Sequence, residues 1–434
     1  MILKTYYDII YMLCTILGLL PLLCYGKDII LNPFIGDSTE IALSNGKYVW
    51  DTIQNADPGD SIILNNSEPT YYIPFDIVTN VYNITIKLNS DIYLHDNSSA
   101  WTFYQNTNSY INAFDIRNSS YITIEGNGDS VVDGQGYQWW LDFFKGKISR
   151  QRPTMLYLEN CINVFISDII FLDSPRFHIY AKNILRMEIA DVTIWVDADL
   201  SIFPFNTDGI DVSGKDIYIH DCMISNYDDA VCIKPADYST PDLDNTNMSC
   251  TENIVVDNVY VYKGVGLSVG SVASTKQHCI RNVMFQNIVA DEPIKFIYIK
   301  TGNIHEATSI QGHITNITYK NMVATDALLW PIYIGPQQQK EPDGTGDGVW
   351  PPVNPFVEIR DIFLENISIH MKTHYSKYGV LRCDLNNPCS NFQFKEVTVK
   401  GGQKKYICSE NGSLLGYYDN NTKPPLKKCG LKLI

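Results

Sequence analysis

The sequence predicts an all-β protein built as a parallel β-helix, and three observations lead to this fold. Short strand-like runs with alternating Ile, Val or Phe recur along most of the chain, each preceded by a polar residue. Their separations, about 20 to 45 residues, are typical of a repeat protein. Amphipathic helical patterns are few, and Gly, Asn and Asp turns separate the runs. The clearest runs begin at Tyr121, Asn163, Asn183, Asp216, Asn253, Asn282, Asn316 and Asp361.

A solenoid explains these runs because one coil of chain is too thin to bury an apolar face by itself. Stacked coils share a continuous core, and polar residues at equivalent turns, Asn above all, can form hydrogen-bonded ladders. A β-sandwich or a propeller is the competing fold, but the irregular repeat length argues against a propeller. We expect residues 27–80 to cap one edge of the stack and the Cys-containing segment after residue 400 to cap the other. No linker divides the chain, so residues 27–434 are predicted to form a single domain.

The amino-acid composition limits the kinds of molecule that the protein can bind. The 434 residues include 33 Lys+Arg and 48 Asp+Glu, which gives a net charge of −15. This acidity argues against nucleic acid or an anionic membrane as the main partner, because a polyphosphate requires a basic surface. Only 19% of residues are charged and 45% are hydrophobic, so the chain can bury a sizeable core and is not a disordered tail. We expect a monomer without a cofactor.

The first 26 residues are predicted to be a secretory signal peptide. Lys4 precedes an apolar run from Ile9 to Cys24, and Gly26 and Lys27 follow it. The run of about 16 residues is short for a membrane span, which takes about 20, although a signal anchor is the alternative. Nine Asn-x-Ser/Thr sequons support export, so we expect an extracellular glycoprotein that has no membrane contact after signal removal. The sequons begin at Asn65, Asn83, Asn97, Asn118, Asn247, Asn316, Asn366, Asn411 and Asn420.

The cysteine count agrees with an oxidising compartment. Of the 11 cysteines, Cys14 and Cys24 leave with the signal peptide, and the odd number that remains leaves at least one thiol free. The predicted disulfides are Cys250–Cys279, Cys383–Cys389 and Cys408–Cys429. The predicted buried free thiols are Cys161, Cys222 and Cys232.

Three carboxylates carry the predicted chemistry. Asp208 lies in the segment Asn206–Asp211, and the pair Asp228 and Asp229 follows 20 and 21 residues later. That spacing is about one coil of a β-helix, so on adjacent coils about 4.8 Å apart the three side chains would share one surface. Three acids this close cannot all ionise freely, and at least one pKa should rise. Glycoside hydrolysis uses such a set, because a protonated carboxyl donates to the leaving oxygen while an ionised one activates water.

Simpler explanations of the same residues remain open at this point. Asp is common in turns because its side chain bonds to nearby backbone, and Asp211 is expected to be a structural turn residue. Clustered carboxylates also suit calcium. Lys234, five residues beyond the Asp pair, is predicted either to contact an acidic sugar or to be a solvated turn residue.

At the level of motifs, the chain resembles the polygalacturonase family, family 28 of the glycoside hydrolases. The resemblance implies a single-stranded right-handed parallel β-helix and a pectin-like polysaccharide as the substrate. It runs from about Asp133 to Gly401, and the order and spacing of the motifs together are specific. The motifs are Asp133-Gly-Gln-Gly, Trp139-Trp140, Arg152-Pro153, Ser174-Pro-Arg-Phe-His178, Asn206-Thr-Asp-Gly, Asp228-Asp229, Gly264–Ser271 and Ile299-Lys-Thr301.

The resemblance also implies a role for each site residue. Asp228 matches the general acid of an inverting hydrolysis. Asp208 and Asp229 match the pair that positions and deprotonates the attacking water. Lys300 matches the basic residue that contacts the substrate's carboxylate, and Asn206 matches a neighbour of the catalytic acids.

The chain departs from the family pattern at two positions. The family's usual Gly-His-Gly is here Gly264-Val-Gly266, and its usual Arg-Ile-Lys is Tyr298-Ile-Lys300. The missing His normally supports the carboxylates or the sugar, and the missing Arg helps to hold galacturonate. Tyr298 is predicted to stack on or hydrogen-bond a sugar, but it cannot form the forked contact to a carboxylate. The two departures therefore make a related branched or mixed pectic chain a better candidate substrate than unmodified polygalacturonate.

Three functions follow as hypotheses. The first is a secreted hydrolase with polygalacturonase-type activity on pectin-like polysaccharide. The second is a catalytically inactive β-helix that binds polysaccharide or serves in a cell wall, which the two departures support and the three retained acids oppose. The third is a calcium-dependent polysaccharide lyase on the same fold.

Overall fold

The computed structural model confirms a parallel β-helix. It describes residues 26–149, 151–198, 201–236, 250–274, 278–304, 312–338, 353–372, 377–387, 389–408 and 414–424. Within these ranges the chain forms 29 strands, which pair with one another in parallel from coil to coil.

Two α-helices accompany the strands. The helices are α1 (Thr39–Gln54) and α2 (Gly136–Phe144). The strands are β1 (Asp28–Leu31), β2 (Ser61–Leu64), β3 (Thr70–Tyr72), β4 (Val78–Thr79), β5 (Tyr82–Leu88), β6 (Ile92–Leu94), β7 (Phe114–Arg117), β8 (Ser120–Gly126), β9 (Val131–Asp133), β10 (Leu156–Glu159), β11 (Ile162–Ser167), β12 (Ile170–Leu172), β13 (Ile179–Ala190), β14 (Thr193–Trp195), β15 (Ile210–His220), β16 (Met223–Ser225), β17 (Asp229–Ile233), β18 (Thr251–Asp257), β19 (Tyr260–Tyr262), β20 (Gly266–Val272), β21 (His278–Asp291), β22 (Ile297–Thr301), β23 (Gly312–Ala327), β24 (Ile332–Gln337), β25 (Val357–Met371), β26 (Lys377–Leu381), β27 (Cys389–Lys400), β28 (Gln403–Cys408) and β29 (Leu414–Asn420).

The strands stack into three parallel sheets, because each coil contributes one segment to each sheet. The first sheet contains β1, β2, β5, β8, β11, β18 and β29 with parts of the long strands β13, β15, β21, β23, β25 and β27. The second contains β3, β6, β9, β12, β14, β16 and β19 with the ends of β21, β23, β25 and β27. The third contains β4, β7, β10, β17, β20, β22, β24, β26 and β28 with the beginnings of β13 and β15.

One apolar core fills the interior of the coils. In the first sheet, Ile254, Val283, Ile317, Ile362 and Phe392 occupy the same register position on five successive coils. All five are almost completely buried. Each burial contributes roughly 1.5–3 kcal/mol, and because the row continues from coil to coil, every coil depends on its neighbours for its core.

Asparagine ladders hold the turns in line, as predicted. The Asn316 side-chain amide donates to the Asn282 side-chain oxygen at 2.8 Å, and Asn282 in turn donates to Asn253 at 3.3 Å. The three residues have φ values of 55°, 56° and 59°, in the left-handed region that Asn tolerates better than other non-glycine residues. The same turn therefore repeats on each coil.

A helix lies at the N-terminal edge of the stack. Helix α1 follows Ser38, whose hydroxyl accepts the N–H of Ile41. Its face with Ala42, Val49 and Ile53 joins the core. This position is consistent with the predicted cap, and it shields the edge beside β1, which pairs with β2 alone among the described strands.

Two of the predicted disulfides are present. They join Cys250 to Cys279 and Cys383 to Cys389. The predicted third pair includes Cys429, which lies outside the described residues. The free cysteines are buried, as predicted: Cys161, Cys222 and Cys232.

The predicted signal peptide, residues 1–26, lies almost wholly outside the described residues, so it stays a prediction. None of the described helices combines the length and the apolarity that crossing a membrane requires.

The asparagine ladder yields a test of the fold. We expect Asn282→Ala to lower the free energy of unfolding by about 2 kcal/mol, because it removes two hydrogen bonds and places an alanine in the left-handed region. Asn282→Gly removes the same bonds without the backbone strain, so its loss should be about 1 kcal/mol. Urea unfolding of both variants measures the difference, and equal losses would contradict the role given to the backbone.

Candidate active site

The three predicted acids lie together at the edge of the third sheet. Asp229 is the first residue of β17, Asp228 precedes it in the turn, and Asp208 comes two residues before β15. Strands β15 and β17 are adjacent, and oxygens of the three carboxylates lie within 4.8 Å of one another. The spacing of about one coil in the sequence therefore gives one cluster in space.

A buried histidine fixes the backbone of Asp208. The main-chain N–H of His178 donates to the Asp208 carbonyl at 2.9 Å, and its Nδ1 lies 3.1 Å from the same oxygen. Its Nε2 accepts the N–H of Ser174 at 3.4 Å. Burial lowers the pKa of His178 to about 4, so the ring is neutral and carries its proton on Nδ1. The sequence resemblance included His178 without giving it this role.

An asparagine joins the two coils that carry the acids. The Asn226 side-chain amide donates to the Asp229 carbonyl at 2.7 Å and to the Thr207 carbonyl at 2.9 Å. The Asn226 side-chain oxygen would lie only 2.3 Å from a Cβ added to Gly264, which is closer than van der Waals contact. Gly264 also has φ +79°, in the left-handed region. Only glycine therefore fits this turn without displacing Asn226. Sequence reasoning missed Asn226, since its only signal was its place before the Asp pair.

Asp228 accepts two main-chain hydrogen bonds. One comes from the N–H of Asp229 at 2.9 Å and the other from the N–H of Asn206 at 3.2 Å. The carbonyl of Phe205, in the peptide that supplies the second bond, accepts from the buried guanidinium of Arg152. Asn206 therefore reaches the site through its backbone, in a left-handed conformation with φ 60°.

Asp229 is buried in an ionised form. Lys300 donates to its Oδ2, and the Ser268 hydroxyl donates to its Oδ1 at 2.6 Å. Burial by itself would raise the pKa of Asp229, but the Lys300 and Lys234 charges outweigh it and hold that pKa well below its usual range. Of the three acids, Asp229 is the carboxylate suited to take a proton.

The pKa values of Asp208 and Asp228 are both raised. Burial and the charge of Asp228 raise the pKa of Asp208, and burial and the charge of Asp229 raise the pKa of Asp228. This rise is what the crowding of the three acids predicts. Asp208 is 4% exposed and Asp229 is 1% exposed, whereas Asp228 is only partly buried. Of the two acids with raised pKa values, Asp228 is therefore the more accessible to a substrate.

Lys234 faces the acids. Its ammonium lies 3.2 Å from Asp211 and 3.9 Å from both Asp208 and Asp229. The expectation that Asp211 is a turn residue is wrong, because Asp211 lies buried within β15. From this strand its carboxylate contacts Lys234. Burial raises the pKa of Asp211 to about 6, against the opposing charge of Lys234.

Tyr298 is a buried residue of a protein cluster. Its ring is 2% exposed, makes an edge contact with Tyr333 at 5.1 Å, and lies under the ammoniums of Lys295 at 4.1 Å and Lys300 at 4.6 Å. This position leaves no ring face for a sugar, so the structure does not support the predicted substrate-binding role of Tyr298. Lys300 is 1% exposed and points at Asp229. Its contact with a substrate carboxylate stays a prediction.

Val265 stands where the family has histidine. Its N–H donates to the Asp228 carbonyl at 2.7 Å, so the backbone still supports the turn that carries the acid. Its side chain packs against the cluster of Tyr298, Trp330 and Tyr333. The site therefore has an apolar contact in the place of an imidazole.

The carboxylates are a poor cation site. Their oxygens are close enough to share an ion. Lys300 and Lys234 already supply two positive charges within 4 Å of these acids, however, and a divalent ion would be repelled by both. The arrangement suits proton transfer at Asp228 and Asp229 better than metal binding.

The chain is similar in sequence to polygalacturonases. It is 28% identical over 282 residues to a protein named probable polygalacturonase from Arabidopsis thaliana, a match that spans 64% of this chain and 54% of the relative. It is 27% identical over 288 residues to endopolygalacturonase A of Aspergillus niger, which spans 66% of this chain and 70% of the relative. The chain thus matches about half of the length of the first relative.

Solved structures share its fold. The endo-xylogalacturonan hydrolase of Aspergillus tubingensis superposes with a TM-score of 0.70 at 17% identity, over 94% of this chain and 99% of that one. The polygalacturonase of Erwinia carotovora superposes with a TM-score of 0.61 at 19% identity, over 92% of this chain and 96% of that one. At these identities the likeness supports the β-helix itself.

The model of one enzyme family matches most of the chain. The match covers residues 73–414, from the early coils of the β-helix to its last strands, and includes the whole carboxylate cluster. The chain therefore belongs to the glycosyl hydrolases family 28, whose members act on O-glycosyl bonds.

Proposed function

We propose that the protein is a secreted glycoside hydrolase that cleaves pectin-like polysaccharide, with Asp228 as general acid and with Asp208 and Asp229 as the pair that binds and activates water. One observation carries the proposal. Asp229, whose pKa is lowered by the charges of Lys300 and Lys234 against the effect of burial, lies within 4.8 Å of Asp208 and Asp228, whose pKa values burial and neighbouring carboxylates raise. Such a set of carboxyl groups provides both halves of acid/base hydrolysis.

The proposed reaction uses the raised pKa of Asp228 and the lowered pKa of Asp229. Asp228 donates its proton to the glycosidic oxygen, which leaves with the electron pair of the broken C–O bond. Asp229 accepts a proton from water while the water oxygen bonds to the anomeric carbon, and Asp208 holds that water by a hydrogen bond. After the reaction Asp228 has lost a proton and Asp229 has gained one. Transfer of one proton through solvent from Asp229 to Asp228 restores the starting state.

The stereochemical part of the proposal rests on the family resemblance. Carboxylates within 4.8 Å are closer than the roughly 6.5–9.5 Å usual for inverting pairs. In this proposal the water therefore lies beside Asp208 and Asp229 on one side of the sugar, rather than between two opposed acids. Proton NMR of the first product anomer tests the inversion directly.

The polysaccharide is proposed from the names of similar proteins. Relatives are named polygalacturonase and endopolygalacturonase, and one structural neighbour is an endo-xylogalacturonan hydrolase. The described site retains the three acids and Lys300 but has Val265 and Tyr298 in place of His and Arg. These changes favour a modified galacturonan over the unmodified polymer, and they are also the observation that favours the second candidate, an inactive polysaccharide-binding protein.

The first prediction concerns the general acid. Asp228→Asn should lower kcat by about 10² to 10⁴-fold, because an amide cannot donate the proton that the leaving oxygen needs. Reducing-sugar release from polygalacturonate, xylogalacturonan, rhamnogalacturonan and a neutral glucan measures both the activity and its substrate. Asp129→Asn, an exposed site on a distant turn, is the matched control. Full activity of the Asp228 variant would refute its role, and no release by the folded parent protein would favour the binding protein.

The second prediction concerns pH. Activity should fall as pH drops through the low pKa of Asp229 and as pH rises through the raised pKa of Asp228. Lys300→Met removes the charge that lowers the pKa of Asp229, so the acid limb of kcat/KM should move to higher pH. Ser268→Ala, which removes only a hydrogen bond to Asp229, should move the limb in the same direction by less. An unchanged acid limb in both variants would show that Asp229 is not the base.

A further inference from the structure

A lysine stands on the turn beside the catalytic acid. Lys263 directly follows β19 and lies on the coil after the one that carries Asp228. Two residues later, the N–H of Val265 donates to the Asp228 carbonyl at 2.7 Å. The Lys263 turn is therefore attached to the turn of the proposed general acid.

The backbone of Lys263 is in an unfavourable conformation. Its φ is +61°, a region that side chains other than Asn and Asp seldom adopt. The same turn position is also left-handed on the next two coils, with φ values of 53° at Glu292 and 52° at Asp326. Both of those residues are acidic, whereas Lys263 is basic.

The side chain of Lys263 is held by aromatic rings. Its ammonium lies 4.8 Å from the ring centre of Tyr262 and 5.8 Å from that of Tyr227, which precedes Asp228 in the chain. Tyr262 stacks on Trp195 at 5.9 Å, and both rings are partly exposed. The ammonium thus lies at the edge of a partly exposed aromatic surface, beside the residue that precedes Asp228.

Among the described residues, Lys263 has tyrosine partners but no carboxylate partner. In the described part of the chain it forms no ion pair, whereas Lys234 and Lys300 face the catalytic carboxylates. Burial lowers the pKa of Lys263, but charge interaction with Tyr227 and a side-chain hydrogen bond to Tyr262 outweigh it and raise that pKa above its usual value. This cation, on the turn next to the Asp228 turn and without a carboxylate partner in the described part of the chain, is available to an acidic ligand.

We propose that Lys263, positioned by Tyr227 and Tyr262, binds a uronate carboxylate of the polysaccharide and takes over part of the recognition that the family assigns to the arginine replaced by Tyr298. The proposal rests on the proposed function, since it places the substrate beside Asp228. It names galacturonate units with free carboxylates as the class of sugar that this part of the site recognises. The aromatic surface of Trp195 and Tyr262 would support the sugar ring while the ammonium pairs with the carboxylate.

The test is a binding measurement, so that it does not depend on turnover. Calorimetric titration of tetragalacturonate into the Asp228→Asn protein gives the reference Kd. Adding Lys263→Gln should raise the Kd about tenfold, whereas Lys263→Arg, which keeps the charge, should stay within about threefold. Adding Lys320→Gln, a surface lysine paired with Glu365 on the first sheet, is the control and should leave the Kd unchanged.

A second ligand separates charge recognition from general damage. Fully methyl-esterified tetragalacturonate lacks the carboxylates, so Lys263→Gln should change its Kd by less than about twofold. An equal loss for both ligands, no loss for either, or no binding of tetragalacturonate by the folded reference protein would overturn the role of Lys263. The proposed function fails separately, if the parent protein hydrolyses none of the pectic polymers while these binding constants behave as expected.

Discussion

The buried ion pair between Lys300 and Asp229 is the interaction on which the site depends. Both side chains are almost fully excluded from solvent, so neither charge would be tolerated there without the other. Breaking such a pair by removing one partner typically costs about 3–5 kcal/mol, because a buried charge is left uncompensated. Lys300, with Lys234, keeps Asp229 ionised against the effect of burial, and the charge of Asp229 adds to burial in raising the pKa of Asp228. The Lys300–Asp229 pair therefore affects both the stability of the site and the pKa values of its acids.

The β-helix makes this pair available because its coils stack in strict register. Asp229 and Lys300 are far apart in the chain, yet β17, β20 and β22 are consecutive members of the third sheet. Ser268 on the middle strand completes the group by donating to Asp229. Asn226 and His178 then fix the turns, since each bonds to the backbone of a catalytic acid. The positions of the acids are thus maintained by buried side chains that bond to the main chain of Asp229 and Asp208.

Changes at the substrate-facing positions can therefore accumulate without loss of the acids. Val265 keeps the N–H bond to Asp228 that the turn needs, although its side chain supplies no imidazole. Tyr298 packs into an aromatic cluster instead of reaching the groove. In our proposal, Lys263 on the coil after the one that carries Asp228 supplies part of the positive charge that the replaced arginine would give. Substrate recognition would then use side chains other than those of the three acids.

The repeat, the asparagine ladder and the approach of Asp208 to the Asp pair could be predicted from the sequence, because they follow from local periodicity and a spacing of about one coil. Two disulfides could be predicted because their cysteines are close in the chain. The sequence also identified the family, through motifs in a fixed order. Only the tertiary structure decided which side chains face the groove. Asp211 is buried against Lys234 and Tyr298 is covered by Tyr333, since exposure on a third-sheet strand depends on what packs over the coil. This packing involves residues from several coils, so it cannot be predicted from the local sequence.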